Sequence, residues 1–89
     1  MRQAKFTTSF KKDLKCQKKR GKSREKIEIA INYICIDGDV PTEYLPHNLS
    51  GNWKGYRECH IEPDWLLIYT VENDKLATFY RTGTHSDLF

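Results

Sequence analysis

The second half of the chain carries side chains that could cleave a phosphodiester bond without a metal ion. Three histidines, His47, His60 and His85, occur there together with Asp64 and Arg81. Imidazole titrates near neutral pH, so it can both accept and donate a proton at a phosphate group. An arginine can bind the non-bridging oxygens as negative charge develops on them. These residue types predict acid–base chemistry on a nucleic acid.

The charge of the chain is divided unevenly along its length. Residues 1–26 contain eleven Lys and Arg residues against two acidic ones, whereas residues 27–89 contain four basic and ten acidic residues. The net charge of +3 therefore conceals a strongly basic N-terminal segment. Such a segment favours contact with a polyanion, and the alternative is a solvated helix face that only maintains solubility.

Length and cysteine content restrict the class of protein. A chain of 89 residues supports one hydrophobic core, so we expect a single domain over residues 1–89. No apolar run approaches the roughly 18 residues of a membrane span, and no signal peptide is recognisable. The three cysteines are odd in number and lack paired spacing, which argues against disulfides. We therefore expect a cytoplasmic protein without membrane contact.

The spacing of possible ligands does not match a known metal motif. Cys59 and His60 are adjacent, so on a strand they point to opposite faces, and neither C-x-x-C nor H-x-x-x-H occurs. The sequence therefore predicts no metal site and no cofactor.

Two helices are predicted in the basic half of the chain. We expect Ser9 to cap a helix over residues 10–20, which ends at Gly21. A second helix is predicted to begin after Ser23 and to end at Asp37-Gly38. Its apolar residues follow the i, i+3, i+4, i+7 pattern of a buried stripe: Ile27, Ala30, Ile31 and Ile34.

Alternation and turn residues predict four strands, over residues 2–7, 56–62, 65–71 and 75–81. Residues 39–55 contain two prolines and two glycines, so we expect a long ordered loop there, of the kind that usually carries function. The predicted fold is α+β, with an N-terminal helical hairpin packed on a mostly antiparallel four-stranded sheet in the order β-α-α-β-β-β.

The turn between the second and third strands predicts which side chains share a face. If Pro63 and Asp64 are its central residues, cross-strand partners have numbers that add to 127. This register places four apolar residues against the helices: Cys59, Ile61, Leu66 and Ile68. It places His60 and Trp65 on the opposite, accessible face, close to Asp64. Trp65 and Phe89 could then stack on nucleotide bases.

Three segments of this chain resemble the YafQ branch of the RelE-type toxins, and the resemblance extends over essentially the whole length. The segments are His47-x-Leu49-x-Gly51-x-Trp53-Lys54-Gly55-Tyr56-Arg57, His60-Ile61-Glu62-Pro63-Asp64-Trp65, and Arg81-Thr82-Gly83-Thr84-His85-Ser86-x-Leu88-Phe89. The resemblance implies a RelE-like fold and a ribosome-dependent mRNA interferase that is silenced by a cognate antitoxin. It implies the 70S ribosome, its rRNA and mRNA as partners, and it does not require a homo-oligomer.

The resemblance also implies residue roles. The catalytic set would be His47, His60, Asp64, Arg81 and His85, with Trp65 and Phe89 as aromatic residues of the site. A second set would contact RNA: Lys11, Lys12, Lys15, Lys18, Lys19, Arg20, Lys22, Lys54 and Arg57. The expected reaction is a metal-free transesterification that leaves a 2′,3′-cyclic phosphate and a 5′-hydroxyl.

We assign individual roles for this reaction, with the order of base and acid left open. His60, supported by Asp64, would act as base and His85 as acid. Arg81 would stabilise the charged intermediate and His47 would position the phosphate.

Two other functions remain possible at this point. The first is a toxin or RNA-binding protein of the same fold that does not cleave RNA, such as a gyrase poison, which would not need clustered histidines. The second is a DNA-binding regulator, which the absence of a polar recognition helix after a tight turn disfavours.

Overall fold

The computed structural model describes residues 1–89. The strands are β1 (Gln3–Phe6), β2 (His47–Asn48), β3 (Arg57–Glu62), β4 (Trp65–Val71) and β5 (Leu76–Gly83), and the helices are α1 (Thr8–Lys19), α2 (Arg24–Asp37) and α3 (His85–Leu88). Two short 3₁₀ turns, Thr42–Tyr44 and Gly51–Trp53, flank β2. None of the helices is long and apolar enough to cross a membrane.

The sheet has five strands in the order β1-β5-β4-β3-β2, one more than the sequence predicts. The additional strand, β2, lies within the segment that we expected to be a loop. It pairs antiparallel with β3, so that His47 lies opposite Glu58. At the other edge β1 runs parallel to β5, which makes the sheet mixed. The predicted element order was therefore correct except for β2 and for the short C-terminal helix α3.

The two long helices lie close to their predicted bounds. Helix α1 starts two residues early, because the cap is Thr7 rather than Ser9: the Thr7 hydroxyl accepts a hydrogen bond from the Phe10 N–H at 3.0 Å. Helix α2 follows Ser23, although the Ser23 side chain makes no capping hydrogen bond. It ends at Gly38, whose φ of +85° favours glycine.

The main core lies between the helices and one face of the sheet. It includes Phe10 of α1, the predicted stripe of α2, and side chains from every long strand. Its buried members are Phe10, Ile27, Ala30, Ile34, Cys35, Val40, Cys59, Trp65, Leu67, Tyr69, Ala77 and Phe79. Ile31, the fourth residue of the predicted stripe, is only partly buried against it.

The opposite face of the sheet carries a smaller apolar cluster. Leu66 and Ile68 of β4 are buried there beneath Leu88 of α3. Partly buried side chains from β5 and from the segment before β3 complete this cluster: Leu49, Trp53, Tyr56 and Tyr80. Helix α3 and the segment containing β2 are thereby fixed over the face that carries the histidines.

The predicted register between β3 and β4 was wrong over most of its length. Glu62 does lie opposite Trp65, but a bulge at Ile61 shifts the remaining pairs by one, so that His60 lies opposite Leu66. The shift turns Leu66 away from the helices and turns Trp65 into the main core. His60 stays on the face away from the helices, as expected.

Helix α1 closes the open edge of β5 beyond the end of β1. The Thr7 hydroxyl donates to the Tyr80 carbonyl at 2.8 Å, and the backbone N–H of Thr82 donates to Asp13 at 3.2 Å. These contacts satisfy polar groups of β5 that have no neighbouring strand. They also fix the first helix relative to the strand that leads to His85.

Candidate functional site

Three imidazole rings form a row on the face of the sheet away from the two long helices. The centroids of His47 and His60 are 6.1 Å apart, and those of His60 and His85 are 6.0 Å apart. The three residues come from β2, β3 and α3, so each is positioned by a different element. Neighbouring rings are close enough to reach the same phosphate group. The structure thus brings together the three histidines that the sequence singled out.

Glu58 lies beside two of these histidines, and sequence analysis missed it. Its Oε1 is 3.3 Å from His47 Nε2 and 3.8 Å from His60 Nε2. The residue is only 4% exposed, and it has no Lys or Arg partner. Glu58 could have been found from its position two residues before His60, which places both side chains on the same face of a strand.

Asp64 is the partner of His85, whereas we expected it to support His60. Its Oδ1 is 2.7 Å from His85 Nδ1, and the same oxygen accepts the His85 backbone N–H at 2.9 Å. The hydrogen bonds from the backbone and ring of His85 lower the pKa of Asp64 below its ordinary value. The expected pairing with His60 fails because His60 Nδ1 faces the Pro63 carbonyl at 3.3 Å.

Hydrogen bonds to Asp87 hold α3, the helix that carries His85, against the C-terminal end of α1. The Asp87 carboxylate accepts two hydrogen bonds from Arg20, at 2.5 and 3.1 Å, and one from the buried Gln17 at 3.3 Å. It also accepts the Thr84 backbone N–H, completing a capping box. The pKa of Asp87 is strongly lowered. The main cause is the hydrogen bond from the Arg20 guanidinium, and the second is the hydrogen bond from the Thr84 backbone. A four-residue helix therefore has a fixed position.

Arg81 forms an ion pair with Asp13 of α1. Its Nε and Nη2 atoms donate to the two carboxylate oxygens at 2.6 and 3.2 Å. The hydrogen bond that Arg81 donates to Asp13 is the main cause of the raised pKa of Arg81. The expected contact with phosphate must therefore use the remaining N–H groups of the guanidinium, which has five in all.

Trp65 cannot stack on a base in this structure, contrary to expectation. The bulge at Ile61 turns the indole into the main core, where it is 0% exposed and donates to the Thr82 hydroxyl at 2.9 Å. Phe89, in contrast, is 59% exposed beside the histidine face. Its ring meets Trp53 edge to face at a centroid distance of 6.3 Å.

An aromatic group that the sequence did not single out supports Phe89. Trp53 also contacts Tyr56 edge to face at 5.2 Å, and Tyr56 contacts Tyr80 in the same way at 4.8 Å. Trp53, Tyr56 and Tyr80 belong to the smaller apolar cluster, and Phe89 is the C-terminal residue of the chain. They form an aromatic surface next to α3.

Three of the predicted RNA-contacting cations form ion pairs with acidic residues of the protein itself. Arg57 donates to Asp39 at 2.6 Å and to Asn48 at 2.7 Å, Arg20 is held by Asp87, and Lys22 donates to Glu62 at 2.6 Å. These three residues are therefore structural in the observed conformation. The other predicted cations are exposed and form no ion pair: Lys11, Lys12, Lys15, Lys18, Lys19 and Lys54.

Comparisons with known proteins identify the family of this chain. Residues 2–89 match the family described as the bacterial toxin of type II toxin-antitoxin systems, YafQ. The chain is 42% identical over 89 residues to the mRNA interferase toxin YafQ of Escherichia coli K12, covering 99% of this chain and 96% of that protein.

Solved structures show the same similarity. The toxin in a crystal structure of the E. coli DinJ-YafQ complex has a TM-score of 0.88 and 41% identity, with coverage of 100% of this chain and 99% of that one. A metal-bound toxin from Helicobacter pylori has a TM-score of 0.90 and 31% identity, with full coverage of both chains. The chain therefore belongs to the YafQ family of bacterial toxins of type II toxin–antitoxin systems.

Proposed function

We propose that this protein is an endoribonuclease toxin that cleaves translated mRNA by acid–base catalysis. The observation that carries the proposal is the row of three imidazoles, in which His85 is paired with a carboxylate. The E. coli relative at 42% identity is named an mRNA interferase. A toxin that only bound its target would have no need for such a row.

His85 is the proposed general acid. Because a carboxylate can only accept, His85 Nδ1 carries the proton that bonds to Asp64, and Nε2 is left to transfer a proton to the departing 5′-oxygen. Asp64 orients the ring and balances its positive charge, as a carboxylate does for histidine in a catalytic triad. The ring is more than half exposed, so an incoming strand can reach it.

His60 is the proposed general base. Its Nδ1 faces a carbonyl oxygen, which can only accept, so the neutral ring carries its lone pair on Nε2. This nitrogen removes the proton of the 2′-hydroxyl, whose oxygen attacks the adjacent phosphorus. Glu58 lies on the same side of the ring and balances the charge that the base gains. His47, on the far side of Glu58, is assigned to positioning the phosphate.

Arg81 is the proposed source of positive charge for the pentacoordinate phosphorus. Asp13 holds the guanidinium with two of its five N–H groups, which leaves donors for a non-bridging oxygen. Phe89 is the proposed stacking surface for a neighbouring base, supported from behind by Trp53.

Dependence on the ribosome follows from the openness of the site. Two of the three histidines are about half exposed, and nothing encloses a flexible RNA strand. The ribosome would deliver the mRNA already held in a reactive geometry, and such positioning can supply roughly 7–11 kcal/mol of a reaction barrier. The exposed lysines of α1 are the proposed contact with ribosomal RNA.

We also propose that a cognate antitoxin neutralises this protein. The E. coli relative is seen in a complex with DinJ, and this chain matches that toxin over its full length. The partner proposed for this chain is an antitoxin of the same kind.

The test is cleavage of a defined mRNA on programmed 70S ribosomes, mapped by primer extension, with the same RNA free in solution as control. We expect discrete cuts in the A-site codon that end in a 2′,3′-cyclic phosphate and a 5′-hydroxyl. Equal cleavage of the free RNA would reject the ribosome dependence. Growth arrest without any cleavage would reject the proposed nuclease activity and would indicate that the toxin acts on another target, such as gyrase.

A further inference from the structure

The two-residue strand β2 carries His47 at the outer edge of the sheet. Its only neighbouring strand is β3, with which it forms two residue pairs. Successive side chains on a strand point to opposite faces. His47 therefore points to the face that carries the histidines, and Asn48, which lies opposite Arg57, points to the face covered by the long helices. So short an edge strand needs contacts beyond its backbone pairing to have a fixed position.

Arg57 supplies such a contact on the helix side of the sheet. Its Nη1 donates to the side-chain oxygen of Asn48 at 2.7 Å, and its Nη2 donates to Asp39 at 2.6 Å. The guanidinium is planar and rigid, so these two hydrogen bonds together fix Asn48 relative to Asp39. A continuous chain of contacts therefore runs from Asp39, at the end of α2, through Arg57 to β2.

Asp39 is itself held by three hydrogen bonds, which use both of its carboxylate oxygens. Oδ2 accepts from Arg57, whereas Oδ1 accepts from the hydroxyl of the buried Tyr69 at 2.5 Å and from the Val40 backbone N–H at 2.9 Å. Burial, followed by the hydrogen bond to Asp39, raises the pKa of Tyr69, so its hydroxyl remains a donor. Because Tyr69 belongs to the main core, Asp39 connects β2 to the packed interior of the protein.

The turn before β2 orients the imidazole of His47. Leu45 has a φ of +52° and is the one non-glycine residue with a positive φ. Such a backbone conformation is strained, and it persists only where the surrounding structure holds it. The Leu45 carbonyl faces His47 Nδ1 at 3.0 Å, which directs Nε2 toward Glu58. A displacement of β2 would therefore change both the position and the orientation of the ring.

We propose that Asp39 is a positioning residue for RNA cleavage, and that it acts through Arg57 and Asn48 to hold His47 in the row of imidazoles. This role rests on the proposed function, in which His47 positions the phosphate. The hydrogen-bond partners of Asp39 do not include a histidine, so its effect on the site is transmitted by β2. Misplacement of a catalytic group by about 1 Å can slow a reaction by about 10²-fold, so the anchor of this strand affects the rate.

Two variants test the chain of contacts at its two ends. Asp39→Asn removes the charge that holds Arg57, and Asn48→Ala removes the acceptor on β2. Asn48 is exposed, so its substitution leaves the core intact. Asp37→Asn is the matched control, because it removes an exposed carboxylate two residues from Asp39 that forms no ion pair. Urea denaturation establishes that each variant is folded.

The first readout is single-turnover cleavage on programmed ribosomes, with ribosome affinity measured in parallel. We expect Asp39→Asn and Asn48→Ala each to lower the rate by about 10- to 10²-fold at unchanged affinity, and Asp37→Asn to cleave normally. In a His47→Ala background, Asp39→Asn should have no further effect, since it acts only through that ring. An equal loss in both backgrounds, a loss of affinity alone, or wild-type rates in both variants would overturn the proposal.

The second readout is the nitrogen NMR signals of the histidine rings in the free protein. We expect Asp39→Asn to shift the ring signals of His47 and to leave those of His85 unchanged, because α3 is held separately by Asp64 and Asp87. Unchanged His47 signals would overturn the link to β2 whether or not the protein cleaves RNA. Shifted His47 signals in a protein that cleaves no RNA would support that link and reject the proposed function.

Discussion

The Asp64 carboxylate accepts two hydrogen bonds from His85, one from the ring and one from the backbone of the same residue. The two distances to Oδ1 are 2.7 and 2.9 Å. Asp64 thus fixes both the start of α3 and the orientation of its first side chain. The pair links a turn between two strands to a short helix 21 residues later in the chain.

Replacing Asp64 by Asn should slow RNA cleavage without abolishing it. Asn keeps an acceptor for the backbone N–H but loses the charge that balances the imidazolium. A charge-assisted hydrogen bond contributes roughly 1.5–3 kcal/mol, so we expect a loss of about 10- to 100-fold in the single-turnover rate on ribosomes. Asp74→Asn, an exposed acid in the β4–β5 turn, is the matched control. An unchanged rate in Asp64→Asn would show that the pair is structural only.

Glu58→Gln should raise the stability of the protein while lowering its activity. The substitution removes a buried carboxylate that has no Lys or Arg partner, and it also removes the charge beside the proposed base. We expect the free energy of unfolding to rise by about 1 kcal/mol at pH 7, measured by urea denaturation. Cleavage measured in parallel should fall by tenfold or more. A variant that is less stable and fully active would contradict both parts.

Asp87→Asn should destabilise the protein in a pH-dependent way. The pKa of Asp87 is lowered in the folded protein, so its stabilising effect is complete above the ordinary value of 3.8 and is lost as the pH falls through the lowered pKa. At pH 7 the variant should therefore unfold at a lower urea concentration than the wild type. The difference should shrink progressively below pH 3.8. A gap that stays constant with pH would mean that the ion pair with Arg20 contributes nothing.

Exchanging Lys15, Lys18 and Lys19 for Glu should weaken ribosome binding without affecting folding. All three are exposed and form no ion pair. Each phosphate contact that is lost should reduce the slope of log affinity against log salt by about 0.7–0.9. Lys75→Glu, an exposed lysine immediately before β5, is the control. A triple variant with the same affinity and salt dependence as the wild type would place the contact surface elsewhere.

Phe89→Ala should reduce cleavage, whereas Trp65→Phe should affect mainly stability. Phe89 is exposed and can stack on a base, a contact that contributes about 1–3 kcal/mol. Trp65→Phe keeps the buried ring but leaves the Thr82 hydroxyl without its donor, which should cost about 1 kcal/mol of stability. The two effects are separated by measuring urea denaturation and ribosomal cleavage for each variant. Normal cleavage by Phe89→Ala would remove this residue from the site.

The elements of the fold could be predicted from local pattern, and the predictions that failed depend on tertiary geometry. The apolar stripe of α2 and its end at Gly38 were correct, because propensity and capping act within a few residues. The bulge at Ile61 leaves no such signal, yet it shifts the register and so reverses the faces of Leu66 and Trp65. The two-residue strand β2 is likewise fixed by its partner β3 and not by its own sequence.

The candidate site was predicted only in part, because its remaining features also depend on tertiary geometry. Residue type alone identified His47, His60 and His85, which the fold brings into one row. It could not identify the carboxylate that accompanies each ring, since partners across strands depend on register. Asp64 was therefore assigned to the nearer His60, and Glu58 was not among the predicted site residues.

The most direct test of the central claim is the single-turnover rate of mRNA cleavage on programmed ribosomes for wild type and His85→Ala. Ser86→Ala, one residue away on the same helix, is the control, and ribosome affinity is measured for all three proteins. If His85 is the general acid, its loss should lower the rate by about 10²–10⁴-fold with unchanged affinity, and the control should cleave normally. A His85→Ala protein that binds ribosomes and cleaves at the wild-type rate would contradict the account.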